Sequence, residues 1–438
     1  MSHALPATFF RTCRPSRLRT ASFLVAAAVA CATAPVFAAD EIHWTATGPT
    51  SVTFDWRGSE SVIHYGLTSA YGQDVNAVTP NPLPFSSPGP FWEARITGLM
   101  QNTLYHYSIA GGADHTFHTA LTRGVSDFVM CVEGDIGDST SYPTWIGPVQ
   151  RLVAQQHPRL ALLVGDLTYA NDHGQSHCDQ HFNDMMAWSL DAAYMPAWGN
   201  HEWDKSTDDF RNYKGRFDLP NPRSAVGAPA AGGPGEDWYW FDFGNGRFIA
   251  YPEPFSGAWS AWSKSADSLM SDVDADPQIT FIVTMGHRPA YSSGHHPGDA
   301  TLKGILDGLG AKHPKYVLDL CGHSHNYERT FPQSGVTHIT NGEGGAAHET
   351  DGSPPCTWLG GCPPPSWSAF RAFHHGALTL HFTTSSIQGT MLCGPAASDD
   401  DVTCAPGAAL DTFTIPAPGG SAADITGPAT TTTLRVRP

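Results

Sequence analysis

Leu162-Leu163-Val164-Gly165-Asp166-Leu167-Thr168-Tyr169 is the stretch on which the reading of this chain turns. An apolar run empties into a glycine, which is the pattern of a buried strand ending in a turn. The Asp166 carboxylate and the Tyr169 phenol then lie beyond the strand's carboxyl end, where open α/β sheets keep their ligands. A carboxylate has two oxygens, so Asp166 can touch two cations at once. Taken alone, Gly-Asp after an apolar run is also a common turn in which the aspartate bonds nearby backbone amides. The rest of the chain separates these readings.

The same device recurs. Phe128 to Val132 leads to Gly134-Asp135-Ile136-Gly137, and Ala193 to Trp198 leads to Gly199-Asn200-His201-Glu202. Thr280 to Met285 ends in Gly286-His287-Arg288-Pro289, and Tyr316 to Cys321 in Gly322-His323-Ser324-His325. Each apolar strand delivers a metal-capable side chain at its exit. Helical stripes at Trp145 to Gln156, Asp179 to Leu190, Ala258 to Val273 and Leu302 to Lys312 alternate with these strands, so residues 123–415 are expected to form an α/β catalytic domain. Trp238 to Phe243 and Arg247 to Tyr251 read as a hairpin around Gly244-Asn245-Gly246. Strands at Val336 to Thr340, Leu378 to Thr383 and Leu410 to Ile415 are expected at the closing edge.

Upstream, residues 40–122 show only short alternating runs between turn residues and no helical period, which predicts an N-terminal all-β sandwich in an accessory role. Residues 416–438, rich in Pro, Gly, Ala and Thr, read as a disordered tail. Residues 1–38 read as a signal peptide. Arg11, Arg14, Arg17 and Arg19 precede a short apolar run from Phe23 to Ala34, and Val36-Phe37-Ala38 is an acceptable cleavage site. Secretion or export to a periplasm is the consequence. Cys31 as a lipid-attachment residue is the weaker alternative, because Ala28 stands where leucine is preferred.

The chain has 438 residues and a formal net charge of −17, and removal of the leader's arginines makes the remainder more acidic still. Nucleic acid and anionic membranes need a basic face, so neither is an expected partner. No segment is long enough to span a bilayer. An exported protein can keep disulfides, and Cys356 with Cys362 and Cys393 with Cys404 are the pairs suggested by proximity. Cys131 and Cys321 sit in apolar runs and are expected to pack as small hydrophobes. The segment Asp172 to His181, with His173, His177 and His181 around Cys178, reads as a surface loop, the alternatives being that it shapes the pocket or binds stray metal.

A dinuclear hydrolytic centre needs one shared carboxylate and metals roughly 3.5 to 4 Å apart, with positions left for water and substrate. Asp166 is the natural bridge. Imidazoles and an amide oxygen suit a divalent ion, whereas carboxylates and a phenolate suit a harder ion, so Asp135, Asp166 and Tyr169 point to ferric iron in one position. A trivalent and a divalent ion, offset by Asp135, Asp166, an ionised Tyr169 and one hydroxide, leave roughly one positive charge to attract a phosphate.

The five ordered blocks, together with Asn326-Tyr327-Glu328-Arg329 after His325, resemble the signature of purple acid phosphatases within the calcineurin-like metallophosphoesterases. Resemblance covers residues 41 to 415, and Val62 to Gly66, Ile96 to Leu99 and Tyr105 to Tyr107 resemble that family's fibronectin type III-like domain. It implies two packed β-sheets flanked by helices, an αββα fold. The wider superfamily usually has histidine two residues after the first aspartate, where this chain has Gly137, and Tyr169 matches the tyrosine of the purple branch. The resemblance implies a ferric ion held by Asp135, Asp166, Tyr169 and His325, and a divalent iron, zinc or manganese ion held by Asp166, Asn200, His287 and His323. It implies that His201, His295 and His296 bind phosphate and assist the leaving group.

The expected activity is therefore hydrolysis of a small phosphate monoester by metal-bound hydroxide, with an acidic optimum. A phosphodiesterase or nucleotide hydrolase on the same centre is the alternative, since the pocket walls choose the ester. An extracellular binding protein whose second domain is a relic is a third reading, and intact ligands in all five blocks speak against it.

Overall fold

Alternation builds the N-terminal layers. Strands Ala39–Gly48, Ser51–Gly58 and Phe91–Ile96 form one antiparallel sheet, and Gln73–Asn76, Val62–Gly66, Leu104–Ile109 and His115–His118 form a second in that order. Phe54 of the first meets Tyr107 and Phe117 of the second with ring centroids 4.6 and 5.2 Å apart. Such aromatic pairs add about 0.5–1.5 kcal/mol each beyond the area they bury. The sequence did not reveal Gln73–Asn76, because that edge strand is polar and mostly exposed and so carries no alternation.

The computed structural model describes residues 39–109, 111–203, 210–230, 232–350 and 356–419. The leader read at residues 1–38 and the tail from residue 420 onward lie outside the described residues. Those described fall in one compact unit beginning at residue 37. A buried ion network locks the sandwich to the α/β domain. Arg216 reaches the Glu41 carboxylate at 2.9 Å and Asp179 at 2.7 Å.

Beyond the sandwich, two large sheets lie face to face. The first runs Ala193–Ala197, Leu160–Val164, Phe128–Glu133, Gly376–Phe382, Ser386–Cys393, Ala409–Pro416. The second runs Trp240–Phe243, Gly246–Ala250, Phe281–Met285, Tyr316–Cys321, Thr337–Asn341, Tyr327–Thr330, Ser368–Ala372. Phe382 of the first stacks on Phe128 and also meets Phe248 and Phe281 of the second, which seals the layers together. Ile146–Gln155 packs on the first sheet and Ala300–Lys312 on the second, giving the αββα order.

Neighbouring strands at the heart of each sheet are parallel. Their carboxyl ends therefore share one edge of the double layer.

Two expectations need correction. Gly376–Phe382 is an interior strand, antiparallel to Phe128–Glu133, and Thr337–Asn341 is likewise interior; of the three strands expected at a closing edge, only Ala409–Pro416 is one. Chain order does not set sheet order when a late strand crosses back to cover an early one. The histidine-rich segment is helical, with Ala170–His173 and Ser176–Ser189 as its helices, and His181 and Cys178 are fully buried instead of lying on a surface loop.

Both disulfides suggested by proximity, Cys356–Cys362 and Cys393–Cys404, are formed. Cys131, Cys178 and Cys321 are buried thiols.

Candidate metal centre

The strand exits are held in an unusual backbone conformation. Asp135, Asp166, Tyr169 and His323 have φ of 55°, 49°, 54° and 71°. For side-chain-bearing residues this left-handed region costs on the order of 1–2 kcal/mol each. Hydrogen bonds between neighbouring exits hold them there. The N–H groups of Asp135, Ile136 and Gly137 donate to the carbonyls of Gly165, Asp166 and Leu167 at 3.1, 3.1 and 2.9 Å. Glycines precede the ligands because nothing larger fits: a Cβ at Gly199 would come 2.1 Å from Asp166 Oδ1, and one at Gly322 would come 2.3 Å from Asp135 Oδ2.

The exits bring two groups of donors together. In one, the Tyr169 hydroxyl is 3.2 Å from Asp135 Oδ1 and 2.8 Å from His325 Nε2, which is itself 3.4 Å from Asp135. In the other, Asp166 Oδ2 is 3.1 Å from His287 Nε2, and Asp166, His287 and His323 offer ligand atoms within 4.8 Å of one another. Gly199 packs against Asp166, the His201 N–H donates to Asp166 Oδ1 at 2.8 Å, and Asn200 between them lines the same cavity as Asp166 and His323.

Do these residues fit metal ions? The buried Asn200 Oδ1 has no hydrogen-bond partner among the described residues. Leaving such a group unsatisfied costs about 1–3 kcal/mol unless a cation takes its place. The outer nitrogens are already engaged: His287 Nδ1 donates to the Val164 carbonyl at 3.0 Å and His325 Nδ1 to that of Ala347 at 2.6 Å. This fixes each tautomer so that Nε2 offers its lone pair inward, the usual arrangement behind a metal-binding imidazole. The set fits.

Electrostatics agree. Burial opposes the imidazolium of His287, yet Asp166 and Asp135 outweigh it and raise its pKa to about 10. His325 is raised to about 9 against burial, by Asp135. Burial also opposes the charged form of Asp166, and His287 beside it nonetheless holds it below the usual carboxylate range. Burial first, then Asp135 and Asp166, raise the Tyr169 phenol, so it ionises only against a strong positive charge. The potential at this spot favours cations.

Above the donors opens a cavity of about 430 Å³ lined by His201, His296, Tyr142 and Glu349 among others. His201 is oriented from behind, its Nδ1 lying 2.8 Å from Asn171 Oδ1 and 3.2 Å from Asp172 Oδ2, while its Nε2 is 3.8 Å from Asp166 Oδ2. His296 stacks on His323 at 3.8 Å. Burial, then His295, lower its pKa to about 4. His295 is not among the lining residues. It stands beside His296, and both face Glu349, at 4.0 and 3.4 Å.

Sequence reasoning assigned no role to Glu202 or Glu349. Glu202 accepts three backbone N–H groups beneath the site, and its position three residues after Gly199, the spacing of a capping box, is the signal that could have found it. Glu349 comes from a loop without periodicity and gave no signal.

Residues 132–327 match the family model of the calcineurin-like phosphoesterases, and residues 335–392 match that of the iron/zinc purple acid phosphatase-like protein C segment. The chain belongs to the calcineurin-like phosphoesterases, in their purple acid phosphatase branch. It is 26% identical over 424 residues to the human (Homo sapiens) acid phosphatase type 7, covering 84% of this chain and 89% of that one. It is 26% identical over 336 residues to a nucleotide pyrophosphatase/phosphodiesterase of barley (Hordeum vulgare), covering 65% and 88%. The fold matches that of a purple acid phosphatase from yellow lupin (Lupinus luteus) seeds with a TM-score of 0.65, at 20% identity over 90% of this chain and 78% of the other. Membership makes this phosphatase-like chain a phosphoester hydrolase, and the family implies a dinuclear centre pairing iron with a second metal. Among the described residues no helix is long and apolar enough to cross a membrane.

Proposed function

We propose that this protein is an exported acid phosphatase that hydrolyses small phosphate monoesters at a dinuclear centre. The observation that carries the reading is the gathering of Asp135, Tyr169 and His325 on one side and Asn200, His287 and His323 on the other, with Asp166 touching the second group and bonded through its turn to the first. Carboxylate, phenolate and a single imidazole suit a ferric ion; imidazoles and an amide oxygen suit divalent iron, zinc or manganese. When bound, such a pair would acidify a water molecule and neutralise phosphoryl oxygens.

The remaining work falls to side chains of the cavity. The acceptors behind His201 keep a proton on Nδ1 and turn Nε2 toward Asp166, where the ring, once it carries a second proton on Nε2, can donate to a phosphoryl oxygen. His296 is placed to hand a proton to a departing alkoxide, with His295 beside it and Glu349 as the carboxylate that orients both. The N-terminal layers, three strands against four, support reading residues 40–122 as a fibronectin type III-like domain.

The test compares turnover of a phosphate monoester, p-nitrophenyl phosphate, with that of its diester, bis(p-nitrophenyl) phosphate, by purified protein loaded with iron and zinc. Faster monoester turnover, greater at acidic pH, is expected. The likeness to the barley phosphodiesterase favours a second reading as a diester or nucleotide hydrolase. Faster diester turnover would replace the first reading with that one.

A further inference from the structure

On one wall of the cavity, which His348 helps to line, lies a second set of metal-type side chains that the dinuclear centre does not use. Glu343, His348 and His375 offer three ligand atoms within 4.8 Å of one another. His348 Nε2 is 2.7 Å and His375 Nδ1 is 3.5 Å from the same Glu343 Oε2. Bond lengths near 2.0–2.2 Å in a tetrahedral zinc site place neighbouring donors roughly 3.3 Å apart, so these spacings suit one small ion.

His375 supplies the independent sign. It is fully buried, and neither ring nitrogen has a hydrogen-bond partner among the described residues. A proton shared between His348 Nε2 and Glu343 Oε2, 2.7 Å apart, would satisfy those two groups alone. That proton leaves His375 stranded. A divalent ion among the three satisfies all of them.

The surroundings are built for it. His348 Nδ1 lies 3.2 Å from Asp399 Oδ1 and 3.8 Å from Asp400 Oδ1, which fixes a proton there and frees Nε2, as carboxylates do behind zinc-binding histidines. Asp399 and Asp400 ride on the loop closed by the Cys393–Cys404 disulfide.

We propose that Glu343, His348 and His375 hold a third, structural divalent cation of borderline type, zinc being the best match to two imidazoles and a carboxylate. Its purpose is set by position. Glu343 and His348 bracket the loop whose Ala347 carbonyl receives the Nδ1–H of His325, so the ion braces a ligand of the catalytic pair from behind.

The experiment is zinc-edge anomalous diffraction on crystals of the full protein soaked in zinc, with metal counted per chain in solution. An anomalous peak among Glu343, His348 and His375 is expected, with one zinc per chain beyond those of the dinuclear centre. Asp166→Asn, which disables that centre, keeps this zinc, so the proposal stands or falls independently of the phosphatase reading. His375→Gln loses one equivalent and keeps the native circular dichroism. No peak at this position in the soaked wild-type crystal overturns the proposal whether or not the variant folds, as does an unchanged metal count in a folded His375→Gln protein.

Discussion

The carboxylate of Glu202 accepts the backbone N–H of Asp166 at 3.0 Å, and also those of Leu167 at 2.9 Å and Gly199 at 2.7 Å. One buried side chain thus pins the turn carrying Asp166 to the turn carrying Asn200. Glu202→Gln puts an amide NH₂ against at least one of these N–H groups while keeping the shape. Metal affinity is expected to fall about 10–100-fold, as when the outer partner of a ligand is lost. Competition with a chelator measures it, and unchanged affinity would show that the turns hold their places without this carboxylate.

Among the described residues, Asp166 is the only carboxylate within reach of both His287 and His201. Asp166→Asn removes its charge, and two cations left to face each other across a neutral amide repel. Loss of the dinuclear metals and of phosphoesterase activity together is expected. An active variant with both metals bound would remove Asp166 from the bridging position.

The Tyr169 hydroxyl sits between Asp135 and His325. If it binds ferric iron as a phenolate, the iron-loaded protein absorbs visible light by charge transfer. Tyr169→Phe should bleach that band while much of the hydrolysis survives. A colourless, fully iron-loaded wild type would contradict the assignment.

His201 reaches Asp166 through its backbone N–H and presents Nε2 to the cavity. Its ring can be removed without removing a proposed metal ligand. His201→Ala is expected to lower kcat by about 10²–10⁴-fold, the usual worth of a positioned proton-transfer group, with metal content unchanged. Activity close to wild type would leave phosphate handling to His296 alone.

His181 gives a stability prediction with a definite sign. Buried, it donates from Nδ1 to the Gly137 carbonyl at 2.7 Å and accepts from the Tyr194 hydroxyl at Nε2 at 2.8 Å, as a neutral ring does. Burial lowers its pKa from 6.5 to about 4. Between those values the unfolded chain binds a proton that the folded chain refuses. The stability is therefore complete above pH 6.5 and is lost as pH falls toward 4, by on the order of 3 kcal/mol. Urea unfolding at both ends of that window should show wild type losing more stability than His181→Gln; equal losses would show that His181 does not carry the difference.

Much of the centre could be read from local pattern. An apolar run, a glycine and a polar side chain announce a strand exit within a few residues, and the recurrence of that pattern, not any one instance of it, singled out Asp135, Asp166, Asn200, His287, His323 and His325. Glu349, Glu343, His348 and His375 did not, because a loop and a strand end with no period bring them together across long separations. The histidine-rich segment misled for a related reason. Polar residues that bond inward, as His181 does to Gly137 and Tyr194, look in sequence like solvent-facing ones.

By itself the sequence determined the strand exits, the ligand types they carry and the glycines before them, because these depend on side-chain chemistry and on space beside the backbone. The tertiary structure alone decided that five exits from two sheets converge. It also decided that Asp135, Asp166, Tyr169 and His323 are kept in a left-handed conformation none of them favours. That conformation persists only because neighbouring turns bond one another and Glu202 ties two of them together from beneath, and such cooperation between distant segments has no counterpart in local sequence.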